Sequence, residues 1–218
     1  MSLRTDIIDV LKSPHCRRIN FQIGTIRISG TDYSTIAQCI ENRHIQVVQS
    51  ARLPSTKAVY KRSFNCFIVG SSPGRNLIVH EGTHAINDWH KRNLLDVEDE
   101  VSAYIAQMVF LFVENPALHR GAQQPRLMQR TGQFLQQCRI DSRYCNTAAI
   151  GEASAVAIDV LAGRSIAAGT LRALREALAG DPDTHTDPRN PRRAYDGILR
   201  TTLPGDFLRE IQGTEIVD

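Results

Sequence analysis

The chain has 218 residues, 42% of them apolar and 22% charged, with a net charge of +3 and a mean hydropathy of -0.26. These are ordinary values for a globular protein, and they exclude the disordered, collagen-like, coiled-coil and disulfide-scaffold classes. A chain of this length buries roughly 70% of the surface its unfolded form exposes, enough for a rigid core without covalent staples. No run of five like charges occurs, so the basic stripe of a nucleic-acid binder is missing and nucleic acid is not an expected partner.

The first fifteen residues carry Asp6 and Asp9 and lack the apolar stretch of a secretory signal. Residues 153–168 form the most apolar later stretch, but Asp159 and Arg164 interrupt it and it is too short to span a bilayer. A soluble, cytoplasmic protein with no membrane partner is expected. Its cysteines, at 16, 39, 66, 138 and 145, form no CxxC pair and are expected as reduced thiols. Cys138 and Cys145 are near enough in sequence for a bridge.

Along the chain, residues 21–28 alternate apolar and polar side chains before Ser29-Gly30, as a half-buried strand does. A short helix over 33–40 follows, then extended segments at 44–48 and 57–61 and an apolar edge strand over 64–69. From Ser71 the period changes to 3.6. Ser71-Ser72-Pro73 supplies a capping hydroxyl and a first-turn proline, and the helix it opens is expected to reach residues 89–91. A second helix is expected over 97–113, with Asp96 as its N-cap and Asn115-Pro116 as its stop. Further helices are expected at 123–138, 147–163, 165–179 and 191–201, with a Pro/Asp-rich connector at 181–191. The expected class is α+β in one domain over 1–218: a small mixed β-sheet in 1–70, two metal-bearing helices in 71–115 and a mostly helical part in 116–218.

Inside the first of those helices lies His80-Glu81-Gly82-Thr83-His84, the pattern HExxH. Residues four apart on a helix lie about 40° apart on one face, so two imidazoles at this spacing can grip one tetrahedral zinc while Glu81 sits beside its open position. Gly82 costs about 1 kcal/mol in a helix interior relative to alanine, which suggests that a backbone or a substrate approaches closely there.

A third ligand has two candidates. Glu100 follows His84 by sixteen residues, and a turn at about 91–95 would return the second helix across the first, with small Ser102 and Ala103 permitting a close crossing. The neighbouring acids Asp96, Glu98 and Asp99 then only complement a helix N-terminus. The alternative is His90, which would complete a metzincin-like HExxHxxNxxH if the helix broke at Asn87; an unbroken helix carries His90 about 240° away from His84.

The segment from His80 to Trp89, H-E-G-T-H-A-I-N-D-W, resembles the active-site helix of thermolysin-type gluzincins, which reads H-E-x-T-H-A-V-x-D followed by an aromatic. Glu100-Val101-Ser102-Ala103 resembles their third-ligand segment, and the short chain suits a compact minigluzincin. Three positions depart from the pattern: Gly82 replaces a larger apolar residue, Tyr104 stands where relatives carry an aspartate, and the spacing from His84 to Glu100 is shorter. The resemblance implies zinc-dependent hydrolysis of a peptide bond in a peptide or protein substrate. Zn2+ would be held by His80, His84 and Glu100, with Glu81 as general base. Tyr104, one turn beyond Glu100, is the nearer candidate for the oxyanion, with Tyr144, His119, His185 and arginines more remote. Asp88 is the candidate to orient a ligand imidazole, and Glu152 a further carboxylate near the metal. The rival readings are a catalytically silent zinc-binding module that recognises a peptide or protein, and a structural zinc with His90 as an added ligand.

Overall fold

Helix α1 (Leu3–Leu11) opens the computed structural model, which describes residues 2–122, 146–179, 192–198 and 214–216. The Ser2 hydroxyl accepts the Thr5 N–H at its start, and Ile7, Val10 and Leu11 form a buried stripe at helical spacing. This helix is not among the sequence expectations.

Residues 21–28, expected as one strand, instead form a hairpin. Strands β1 (Asn20–Ile23) and β2 (Ile26–Ser29) run antiparallel with Ile23 opposite Ile26, and Gly24 takes φ +54° at the turn, where a missing Cβ removes the steric penalty. The apolar phase records the turn: Phe21 and Ile23 are buried at odd positions, Ile26 and Ile28 at even ones. Helix α2 (Gly30–Glu41) follows at once. Its Asp32 carboxylate accepts both the backbone N–H and the hydroxyl of Ser29, at 2.8 and 2.6 Å, and Tyr33, Ile36, Ala37 and Ile40 line its buried face.

Strands β3 (Gln46–Ser50), β4 (Ala58–Lys61) and β5 (Cys66–Val69) come next, with β5 parallel to β3 and antiparallel to β4. The apolar run at 64–69 is therefore interior, and the edge strand is β4. An interior strand covered on both faces reads as continuous apolar sequence, as Cys66-Phe67-Ile68-Val69 does.

Helix α3 (Arg75–Trp89) begins two residues later than the Ser-Ser-Pro signal predicts, with Gly74 at its N-cap. The N–H groups of Ser72 and Gly74 donate to the carbonyls of Ser55 and Thr56 at 2.7 and 3.0 Å, which holds residues 71–74 extended. The helix then runs unbroken through Asn87, and the chain reverses at Lys91, whose φ is +51°. A short strand β6 (Asn93–Leu95) leads into α4 (Asp96–Glu114), so Asp96, expected as the cap, is the first helical residue.

Helices α5 (Pro116–Ala122), α6 (Thr147–Leu161) and α7 (Ala168–Ala179) follow; the expected helix at 123–138 and the connector at 181–191 lie outside the described residues. The described part of the helix expected at 191–201 is strand β7 (Arg192–Ala194), antiparallel to β6 with Arg193 opposite Leu94. Backbone pairing with β6 overrides local helix propensity there. Strand β8 (Thr214–Ile216) adds antiparallel to β3, completing a sheet of order β4-β5-β3-β8.

The class is α+β: β4 packs on α3, while β6, β7, α6 and α7 pack on α4. Helix α4 is the axis of the core, burying Val101, Ile105, Met108, Val109, Phe110 and Phe112. Each such side chain contributes about 1.5–3 kcal/mol when taken out of water. Among the described residues no helix is long and apolar enough to cross a membrane. Cys16, Cys39 and Cys66 are buried free thiols, while Cys138 and Cys145 lie outside the described residues.

A Cβ at Gly82 would lie 3.0 Å from Leu11 Cδ2 and 3.3 Å from Tyr33 Cε1. The close approach at this glycine is thus made by core side chains of α1 and α2, and not by a backbone or a substrate. Gly82→Leu is expected to overpack that contact and lower stability by about 1–3 kcal/mol, read from the denaturant midpoint. An unchanged midpoint would show that Leu11 and Tyr33 do not close off the space at Gly82.

Candidate metal centre

Helices α3 and α4 bring three side chains from the sequence prediction together. His80 and His84, one turn apart, set their rings edge to face with centroids 5.0 Å apart. Both turn Nε2 toward the first turn of α4: His80 Nε2 lies 3.4 Å from Glu100 Oε2 and His84 Nε2 3.7 Å from Glu100 Oε1. Both separations exceed an ordinary N–H···O hydrogen bond. The first is close to the edge of a zinc tetrahedron, about 3.3 Å for ligands about 2.0–2.1 Å from the ion, and the second, to the other carboxylate oxygen, is wider. Among the described residues, His80, His84 and Glu100 each offer one donor atom within 4.8 Å of the others, and two imidazole nitrogens with a carboxylate oxygen are a zinc donor set.

The other imidazole nitrogens are fixed from behind. His80 Nδ1 donates to Gln107 Oε1 at 3.0 Å and His84 Nδ1 to Asp99 Oδ2 at 2.9 Å. Neither acceptor has a hydrogen to give in that contact, so each Nδ1 carries the proton and each Nε2 presents its lone pair when the ring is neutral. Asp88, predicted for this role, lies elsewhere. Its Oδ2 accepts the Tyr60 hydroxyl at 2.7 Å and its Oδ1 the Gly197 N–H at 3.0 Å, so it ties β4 and the C-terminal segment to α3.

Asp99, expected only to complement a helix end, is the anchor of the site. It is fully buried and accepts from Asn87 Nδ2 at 2.5 Å, Arg193 Nη1 at 2.7 Å and the Tyr195 hydroxyl at 2.6 Å as well as from His84. Asp96 also leaves the N-terminal role, pairing with Arg193 Nε at 2.9 Å, and Glu98 pairs with Arg175 of α7 at 2.5 Å. The expected small residue Ser102 is buried between the helices and its hydroxyl receives Asn87 Nδ2 at 3.2 Å.

These contacts set the charges. Burial alone would depress the His84 imidazole, but the Asp99 and Glu100 carboxylates overcome it and raise it to about 9. Burial would raise Glu100, but His84, His80 and Arg193 hold it down to about 2. Asp99 is held well below the usual carboxylate range against its own burial, chiefly by His84 and Arg193.

Glu81 lies next to this cluster, its Oε2 accepting the N–H of Tyr60 from edge strand β4 at 2.7 Å. Tyr104 packs its ring edge-on to His80, with centroids 5.1 Å apart. His90 does not join. Because α3 is continuous through Asn87, His90 turns to the far side, where its Nε2 meets Asp32 Oδ1 at 3.0 Å. The metzincin-like ligand set is thereby corrected. His119 of α5 packs against Phe112 of α4, and Glu152 on α6 is not in the cluster; Tyr144 and His185 lie outside the described residues.

Gln107, Asp99, Tyr60, Arg193 and Tyr195 are the site residues that sequence reasoning missed. Gln107 had a local signal, being a polar residue in the apolar run Ala106-Gln107-Met108-Val109-Phe110, which a buried hydrogen bond explains. Compared with protein-family models, curated proteins and solved structures, the chain finds no match.

A histidine raised to about 9 from 6.5 stabilises the metal-free fold below about pH 6.5 and loses that contribution as pH rises to about 9. A glutamate lowered to about 2 from 4.5 stabilises it above about pH 4.5 and loses that contribution as pH falls toward 2. Denaturant midpoints in a chelating buffer are therefore expected to peak between about pH 4.5 and 6.5. A midpoint still climbing from pH 6.5 to 9 would contradict the pairing of His84 with its two carboxylates.

Proposed function

We propose that this chain is a zinc-dependent metallopeptidase, a compact enzyme of the gluzincin kind that hydrolyses a peptide bond in a peptide or protein substrate. Zn2+ would be held by His80, His84 and Glu100. The observation that carries the reading is the common aim of the two Nε2 atoms at the Glu100 carboxylate, each ring locked from behind through Nδ1 by Gln107 or Asp99. Two unrelated histidines on a helix have no reason to share both features.

When bound, zinc supplies Lewis acidity, acidifying a water toward neutrality and polarising a carbonyl. The protein's part falls to Glu81. Its Oε2 is held by the Tyr60 N–H, which fixes the carboxylate and leaves Oε1 to take the proton from that water and pass it to the departing amide nitrogen. Asp99 and Gln107 keep the two imidazoles in one tautomer throughout. Tyr104, already packed against His80, is our candidate to stabilise the oxyanion.

Metal analysis and hydrolysis of a peptide library by wild type, Glu81→Gln and Glu100→Gln test this reading. Glu81→Gln is expected to keep its zinc and lose about 10²–10⁴-fold in rate, whereas Glu100→Gln is expected to lose the metal. Wild-type rates in Glu81→Gln would remove the general base, and full zinc occupancy in Glu100→Gln would remove the third ligand. Zinc-loaded wild type that cleaves nothing in the library would favour the silent recognition module.

A further inference from the structure

Arg193 reaches the centre from far down the chain, carried by β7 as it pairs with β6. Its Nε lies 2.9 Å from Asp96 Oδ1, and its Nη1 lies 2.7 Å from Asp99 Oδ2 and 3.2 Å from Glu100 Oε1. We infer that Arg193 is a positioning residue that occupies one oxygen of Glu100 and thereby makes this glutamate a one-oxygen metal ligand. The inference rests on the metal centre of the proposed function.

The planar guanidinium donates from Nη1 to Asp99 Oδ2 and lies in ion-pair contact with Asp96 Oδ1, both on residues in the first turn of α4 whose places are set by that helix. Its third contact, to Glu100 Oε1, is therefore dictated by the framework and not by the flexibility of the glutamate. Oε2 is the oxygen turned to His80 Nε2, at 3.4 Å, while Oε1 is nearer to Arg193 Nη1, at 3.2 Å, than to the imidazole it faces, His84 Nε2, at 3.7 Å. A carboxylate free to rotate could bind zinc through both oxygens and fill the coordination position that a catalytic site keeps open. Held to the guanidinium, Oε1 would be kept from the metal, and His80, His84 and Oε2 would be three ligands with a fourth position free. The same cation offsets Asp96 and Asp99, which would otherwise add two negative charges beside the centre. Lysine matches the charge but not the fork, since one ammonium cannot span the three carboxylates in fixed directions.

The test is metal binding by the full chain with cobalt(II) and zinc as probes. Wild type is expected to give the strong visible absorption of four-coordinate cobalt. Arg193→Lys and Arg193→Gln are expected to give the weaker absorption of a higher-coordinate ion, and to bind zinc about 10–100-fold less tightly in competition with a chromophoric chelator. A merely structural salt bridge would change thermal stability and leave the cobalt spectrum alone. Variants with the wild-type spectrum and zinc affinity overturn the inference, and so does an Arg193→Lys that restores both in full. If neither variant folds, the wild-type spectrum still decides, because weak, higher-coordinate absorption there overturns the one-oxygen role. Wild type that takes up neither metal overturns the centre itself, and this inference with it.

Discussion

One carboxylate without access to solvent, that of Asp99, holds this structure's centre together. Burying an ion costs several kcal/mol unless its lone pairs are all engaged, and Asp99 engages them with four donors from two distant parts of the chain: His84 and Asn87 on α3, and Arg193 on β7 with Tyr195 just beyond. The arrangement is cooperative in a literal sense. Two donors are placed by α3 and two by residues 193–195, so the carboxylate is satisfied only when the helix crossing and the return of that later segment are both complete. The His84 ring is then fixed to the same degree as the fold.

A second tie runs parallel to the first. Asp88, one turn after His84, takes the Tyr60 hydroxyl and the Gly197 N–H, and Tyr60 in turn presents its backbone N–H to Glu81. The edge strand, Glu81 and helix α3 are thus linked through a single tyrosine. The two buried aspartates divide the work: Asp99 orients the His84 imidazole, and Asp88 sets the strand that holds Glu81. Both depend on residues 193–197 for a donor, which gives a short C-terminal strand influence over the site out of proportion to its length.

What the sequence made legible was whatever repeats over a few residues. HExxH declares itself because four residues make one helical turn, and the return of Glu100 follows from a turn at Lys91 and a helix whose polar start and apolar body are plain. The hairpin at Gly24 was read as one strand: its trace is the phase slip between Phe21, Ile23 and Ile26, Ile28, which a reading of apolar and polar alternation over 21–28 as a whole passes over. Asp99 was misread because a carboxylate in the first turn of a helix has a sufficient local reason to be there. Arg193 and Tyr195 could not be found, since nothing near them in sequence records that β7 pairs with β6. The edge strand was assigned to 64–69 because an apolar run announces a strand but not its neighbours. Gly82 announced a close approach without saying which side chains make it.

The proposed centre is a zinc ion between the two Nε2 atoms and the Glu100 carboxylate, and anomalous diffraction from crystals of the zinc-loaded chain, recorded on both sides of the zinc absorption edge, tests it most directly. A single strong difference peak bonded to His80 Nε2, His84 Nε2 and one oxygen of Glu100 is expected, with Asp99 and Gln107 still on the Nδ1 atoms. A peak at any other residues, or none in crystals grown with excess zinc, would contradict it.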